Sequence, residues 1–312
     1  MFQAILVPLD GSHFGEHALP WAVTIAKRSK APLRLVHVHP HATEIMLEAS
    51  PFYDEELKSK LKTRQRAYLD ALCERLKPLL KTPVEVLVDE GDIAEKIRQQ
   101  VQQTGTDLVV MAGHARGKIE RMFLGSVTDE LIRTLSIPVL IVHPLAEQAD
   151  PAAEQSVKHI LAPLDGSPFA EQVLEPTAKL AKLFKADLTL LRVVPPLPLI
   201  EPAVAGAYPP TMESMLNRLE DTQKQLMEQA KSSLEQVADK YRAQVKNIQV
   251  RVVENVAADE ILQAAVPPGC DLVAVATHGR RGLVRMVLGS VSDKVIRGSQ
   301  VPVLVVRPQD KK

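Results

Sequence analysis

Ile5-Leu6-Val7-Pro8-Leu9-Asp10-Gly11-Ser12 returns 155 positions later as Ile160-Leu161-Ala162-Pro163-Leu164-Asp165-Gly166-Ser167. A second pair of segments returns at an offset of 164. His114-Ala115-Arg116 and Leu124-Gly125-Ser126-Val127 reappear as His278-Gly279-Arg280 and Leu288-Gly289-Ser290-Val291. These are the residues whose types and spacing bear on chemistry. Each Asp ends an apolar run and precedes Gly-Ser, so its carboxylate either faces a ligand or braces the turn that Gly permits. Gly125-Ser126-Val127-Thr128-Asp129 and Gly289-Ser290-Val291-Ser292-Asp293 read as helix starts. Free N–H groups and the positive end of the helix dipole suit a phosphate there. The same residues also read as a capping box, with Ser capping the helix and Asp returning the bond three residues on. Arg116, Arg121, Arg280, Arg281 and Arg285 flank this segment, where they either meet phosphates or stay solvated.

Other patterns carry less. Gly113-His114-Ala115-Arg116-Gly117-Lys118 has three residues between its glycines, and Ile119 stands where a Walker loop needs Ser or Thr. There is no Gly-x-Gly-x-x-Gly. His37, His39 and His41 alternate, and His13 and His17 sit four apart, both of which are metal-ligand types. The second copy has Arg192, Val194, Pro168 and Gln172 at the matching positions, so no metal is expected. Cys73 and Cys270 occupy unrelated places and read as small core residues. No Ser–His–Asp or Cys–His arrangement repeats, and no efficient catalysis is expected.

The elements that must hold these residues alternate. In the first copy, residues 3–8, 33–39, 84–88, 107–112 and 137–142 read as strands, and 14–29, 55–80, 92–103 and 125–135 as helices. In the second, residues 212–242 form a long amphipathic helix. Leu108-Val109-Val110-Met111 and Leu272-Val273-Ala274-Val275 are apolar throughout, as strands are when helices cover both faces of a parallel sheet. The pattern predicts an α/β fold, doubly wound, repeated in tandem. In such sheets ligands bind at the carboxyl ends of strands, where strand order reverses, which is where both repeated segments fall. Residues 1–146 and 157–312 are the expected domains, joined by a polar linker at 147–156. The change of offset gives the second copy nine extra residues between its second and third strands. Pro195 to Pro210, Pro-rich and apolar, lies there and is expected to be irregular, acting as a lid or partner surface.

Composition narrows the function. The 312 residues carry 38 Lys+Arg against 38 Asp+Glu, a balance that fits neither a basic nucleic-acid binder nor an acidic disordered chain. No apolar run is long enough for a membrane span. Met1 to Ser12 lacks the basic start of a signal peptide, and two cysteines do not staple a secreted fold. A soluble, cytoplasmic, ligand-binding protein is expected, with no nucleic acid and no membrane among its partners.

Ile160 to Ser167, Ala276-Thr277-His278-Gly279-Arg280 and Leu288-Gly289-Ser290-Val291-Ser292 together resemble the universal stress protein family, here in a tandem two-domain form that spans nearly the whole chain. The resemblance implies a five-stranded parallel sheet of order 3-2-1-4-5 in each domain. It also implies binding of ATP or a related adenine nucleotide, with magnesium as an accompanying ion, in stress response or signalling. By position, Pro163, Asp165 and Val193 would take the adenine side. Ala276, His278, Gly279, Arg280, Gly289, Ser290, Val291 and Ser292 would take the phosphates. The first-copy counterparts are Pro8, Asp10, Val38, Ala112, His114, Ala115, Gly125, Ser126, Val127 and Thr128. The family loop reads Gly, two residues, Gly, nine residues, Gly, then Ser or Thr. Here its first Gly is Ala in both copies, and its second is Gly279 in one copy and Ala115 in the other, so the C-terminal half is the better nucleotide site. The alternatives are a nucleotide-free interaction scaffold and a weak ATP hydrolase. An adenylyl-transferring ligase lacks its Ser-Gly-Gly and His-x-Gly-His motifs. Pairing of residues 137–142 with 301–306 within one chain is expected to replace the homodimer of single-domain relatives. A homodimer of the whole chain and an unknown protein partner are further expectations.

Overall fold

Apolar runs between amphipathic segments become the strands of one sheet. The computed structural model describes residues 1–40, 55–113, 124–144, 148–197, 210–277 and 288–309, with backbone alone for 55–58 and 210–213. The first half runs β1 (Ile5–Pro8), α1 (Ala18–Ser29), β2 (Leu33–His39), α2 (Glu55–Leu76), β3 (Val84–Glu90), α3 (Ile93–Gln103), β4 (Leu108–Ala112), α4 (Ser126–Thr134) and β5 (Val139–Val142). The second runs β6 (His159–Pro163), a short α5 (Pro168–Glu171), α6 (Leu174–Phe184), β7 (Asp187–Val194), α7 (Pro210–Asp239), β8 (Ile248–Glu254), α8 (Ala257–Ala264), β9 (Leu272–Ala276), α9 (Ser290–Gly298) and β10 (Val303–Val306). Pro195 to Leu197 have no regular structure, and the rest of the Pro-rich insertion lies outside the described residues.

The strands form a ten-stranded sheet in the order β3-β2-β1-β4-β5-β10-β9-β6-β7-β8. Within each half the neighbours are parallel and the order is 3-2-1-4-5. The halves meet where β5 and β10 pair antiparallel, with Leu140 opposite Leu304. β1 sits between β2 and β4, and β6 between β7 and β9, so strand order reverses at these two strands. A crevice opens there at the carboxyl ends.

Period-two alternation divides the strand residues between two cores. Ile5, Val7, Leu33 and Leu35 join α1 and α2 on one face, and Leu6, Val36 and Val109 join α3 and α4 on the other. Both clusters continue into the second half without a break. Entry to the first strand of each half is fixed alike. The Asp107 carboxylate accepts from the backbone N–H of Gln3 and Ala4, and that of Asp271 accepts from Lys158 and His159.

Small departures from expectation have local causes. The helix expected from residue 14 opens as a 3₁₀ turn, Gly15–His17, before α1. The last strand of the first half begins at Val139 rather than 137, because Pro138 has no N–H for the ladder. Among the described residues no helix is long and apolar enough to cross a membrane.

Candidate functional site

The Asp-Gly-Ser turn is built the same way twice. Asp10 Oδ1 accepts from the Ser12 N–H at 2.9 Å and the Ser12 hydroxyl at 2.7 Å. Ser12 Oγ in turn accepts from the Gly15 N–H at 3.1 Å. Asp165, Ser167 and Ala170 repeat the three bonds at 2.9, 2.6 and 3.1 Å. Gly11 and Gly166 hold φ of +82° and +80°, where a Cβ is strained. Each carboxylate therefore braces its own turn, and that turn pins it at the carboxyl end of β1 or β6.

Beneath each turn, on the face opposite the crevice, a side chain at matching positions of β2 and β7 donates to the residue before the Asp. His37 Nδ1 lies 2.8 Å from the Leu9 carbonyl, and Arg192 Nη1 lies 3.3 Å from that of Leu164. Burial pulls the His37 imidazole below its ordinary pKa. The Leu9 bond opposes that shift, His39 adds to it, and Asp10 opposes it.

In the first half a cleft of about 110 Å³ opens at the reversal of strand order. Pro8 and Asp10 come from the end of β1, Val36 and Val38 from β2, and Met111, Ala112 and Gly113 from β4 and its exit. Ile93 and Ile97 of α3 close one side, and Val127 and Thr128 of α4 another. Six of the ten first-half residues singled out from the sequence thus converge on one cavity: Pro8, Asp10, Val38, Ala112, Val127 and Thr128. Phe14, Ile93, Ile97 and Met111 were not singled out. Their apolar spacing looks the same whether they line a core or a cleft.

The capping-box reading is corrected. Gly125 and Gly289 are themselves the N-caps, with no side-chain cap bond, and Ser126 and Ser290 are the first helical residues, both exposed. The Asp129 and Asp293 carboxylates turn to Arg133 and Arg297 one turn on, at 2.8 Å each. Among the described residues, neither N-cap thus supplies the side-chain acceptor that usually satisfies the first N–H groups.

In the second half, Pro163, Asp165 and Val193 are half-buried at the carboxyl ends of β6 and β7, and Ala276 ends β9. Ser292 donates its hydroxyl to the Ala276 carbonyl at 2.7 Å, tying α9 to the strand. The Gly289 N–H donates to the Thr277 carbonyl at 2.9 Å. A Cβ on Gly289 would stand 3.3 Å from that carbonyl oxygen, so a larger residue would press on the loop. Val291, on the first turn of α9, is 37% exposed. His114, Ala115, His278, Gly279 and Arg280 lie outside the described residues. Among the described residues no group of three His, Cys, Asp or Glu could hold a metal ion, and Cys73 and Cys270 are free and buried.

Comparison with known proteins agrees with the duplication. A model described as "Universal stress protein family" matches residues 1–143 and again 156–307. A universal stress protein of Mycolicibacterium smegmatis is 28% identical over 318 residues, covering 98% of this chain and 97% of that one. One of Mycobacterium tuberculosis is 26% identical over 321 residues, with the same coverage. A solved universal stress protein of Archaeoglobus fulgidus superposes with a TM-score of 0.64 at 17% identity, covering 99% of this chain and 97% of that one, which establishes likeness of fold.

Proposed function

The chain belongs to the universal stress protein family, and from that premise we propose that it binds an adenine nucleotide in each half and acts in cytoplasmic stress response or signalling without efficient turnover. The observation that carries this reading is the junction, in the first half, of an apolar cleft with an uncapped helix start. Val36, Val38, Ile97 and Met111 would enclose a flat base, and the first N–H groups of α4 would receive phosphate oxygens. Asp10, held by Ser12, is a pre-oriented acceptor at the same mouth. The choice of adenine comes from the family resemblance; cleft and helix start fit any nucleotide of that shape. Magnesium would arrive as the phosphates' own counter-ion.

The halves differ at the loop position held by Ala115 and Gly279. Close approach of backbone to phosphate favours glycine, so the C-terminal half is proposed as the tighter site. Mass spectrometry of the freshly purified, undialysed protein tests the reading, followed by calorimetric titration with ATP, ADP and AMP. Retained nucleotide or saturable heat supports it. No retained nucleotide and no heat at millimolar concentration leaves the scaffold reading. Release of ADP from ATP at several turnovers per minute would overturn the non-catalytic part alone.

A further inference from the structure

The helix whose start is proposed to receive phosphates in the first half, α4, is held near both ends by residues of the second half. At its far end Arg307 Nη1 donates to the Thr134 carbonyl at 3.1 Å, and the Gln309 side-chain amide donates to the Ser136 carbonyl at 3.0 Å. Near its start Arg297, bonded to Asp293 at 2.8 Å, reaches Asp129 at 3.5 Å. Gln309 is itself fixed. Its backbone N–H donates to Gln172 Oε1, and its carbonyl accepts from Gln172 Nε2, at 2.8 Å each. Gln172 closes α5, the short helix that follows the second Asp-Gly-Ser turn. Residues 307–309 therefore run as a strap from the rim of one half to the phosphate helix of the other.

Little within α4 itself fixes its place. It has nine residues, too few to be stable alone. Its buried side chains are Thr128, Leu131 and Ile132, and the last two share a cluster with Val303 and Val305 of β10. Apolar burial is non-directional, so it presses the helix on the sheet without setting its position along the axis. Hydrogen bonds to the end carbonyls are directional and do set it. Those carbonyls lack partners within the helix, and a cation beside them also suits the dipole. The helix is about 13 Å long and moves as a rod, so a shift at Thr134 is felt at Ser126. Val127 and Thr128, in its first turn, line the first-half cleft.

We propose that Arg307 and Gln309 are positioning residues for the first-half site: the second half sets where the start of α4 stands. The ligand of that site rests on the nucleotide reading above; the positioning rests on these contacts.

Hydrogen exchange and ATP titration of the full chain test it. The variant carries Arg307→Gln and Gln309→Ala, and the second change leaves the backbone bonds to Gln172 in place. The amides of Asp129 and Leu135, bonded at 2.9 Å to the Gly125 and Leu131 carbonyls, should exchange at least tenfold faster, with those of α3 unchanged. By calorimetry ATP should bind the first-half site, the one that Gly125→Asp removes, at least fivefold more weakly, and the second-half site as before. Arg307→Lys keeps a cation and a donor and should restore the affinity. Unchanged exchange in α4 overturns the proposal, as does unchanged first-half affinity in the double variant. Faster exchange in α4, in a chain whose wild type binds no nucleotide, upholds the positioning and removes the nucleotide reading instead. Should the double variant melt early, Gln309→Ala alone, which removes one exposed bond, decides by the same two readings.

Discussion

At the scale of the residue, the two Asp-Gly-Ser turns form a paired experiment. Gly11 and Gly166 share a left-handed φ, but a Cβ on Gly11 meets nothing within 4 Å, whereas one on Gly166 falls 2.7 Å from Arg192 Nη1. Gly11→Ala should lower stability by about 1 kcal/mol from backbone strain alone. Gly166→Ala should lower it further and displace the guanidinium from the Leu164 carbonyl. Denaturant titration of both variants checks the order. His37 gives a pH-dependent prediction. Its folded pKa is lowered from 6.5, so below that pH the unfolded chain binds more protons than the folded one. The stability His37 contributes is complete above pH 6.5 and is lost as pH falls through that value toward the lower folded pKa. His37→Gln should flatten the melting-temperature profile across this window. Arg192, at the matching position, stays charged throughout, so Arg192→Gln should leave the slope unchanged. The repeated turn was legible in the sequence because its glycines are required by φ, and duplication displays the requirement twice. Whether its Asp faced a ligand or braced the turn was not legible, since both roles place a carboxylate before Gly-Ser.

Elements show the same division. Alternating apolar runs and amphipathic segments disclosed the strands, the helices and their parallel packing, because burial on both faces leaves a direct mark on composition. The start of α4 was placed one residue off. Gly as the cap with Ser inside, and Ser as the cap, differ by a single step that residue types alone do not resolve. Gly125 allows a test in which stability and binding move in opposite directions. Its φ of −59° and ψ of 148° suit a capping residue, so Gly125→Asp should accept from the first turn's N–H groups and raise stability by a few tenths of a kcal/mol. The added carboxylate would occupy the phosphate's place and repel it, weakening nucleotide binding in the first half by at least tenfold. Thermal melts and calorimetry on one sample read both effects. At the loop, where the family resemblance puts Gly279 against phosphate, Gly279→Ala should weaken binding by about one to two decades. Ala115→Gly should leave it equal or improve it.

The whole molecule is organised around the antiparallel meeting of β5 and β10. Both hydrophobic clusters cross that junction, and polar contacts brace it: Arg307 donates to the Thr134 carbonyl, and His143 reaches that of Ile296. Arg28 bonds Glu154 and lies 4.7 Å from the centre of the Phe184 ring, so one first-half side chain holds the connecting segment and also touches the second half. Continuous cores predict a single unfolding transition, with calorimetric and van't Hoff enthalpies equal. Leu304 is fully buried opposite Leu140, so Leu304→Asp buries an unpaired carboxylate there and should split or abolish that transition. The antiparallel junction also turns the carboxyl ends of β1 and β6 in opposite directions. Two nucleotides would therefore bind without touching, at a stoichiometry of two per chain.

That junction also governs what heredity can do with the protein. If two identical chains met along such a strand, every substitution would appear on both sides, and a change useful in one pocket would be forced on the other. Joining the halves in one gene removes the constraint. His37 against Arg192 and Ala115 against Gly279 are differences that two identical chains could not carry. In a joined chain, a change in one half's turn or loop leaves the other half's sequence as it was.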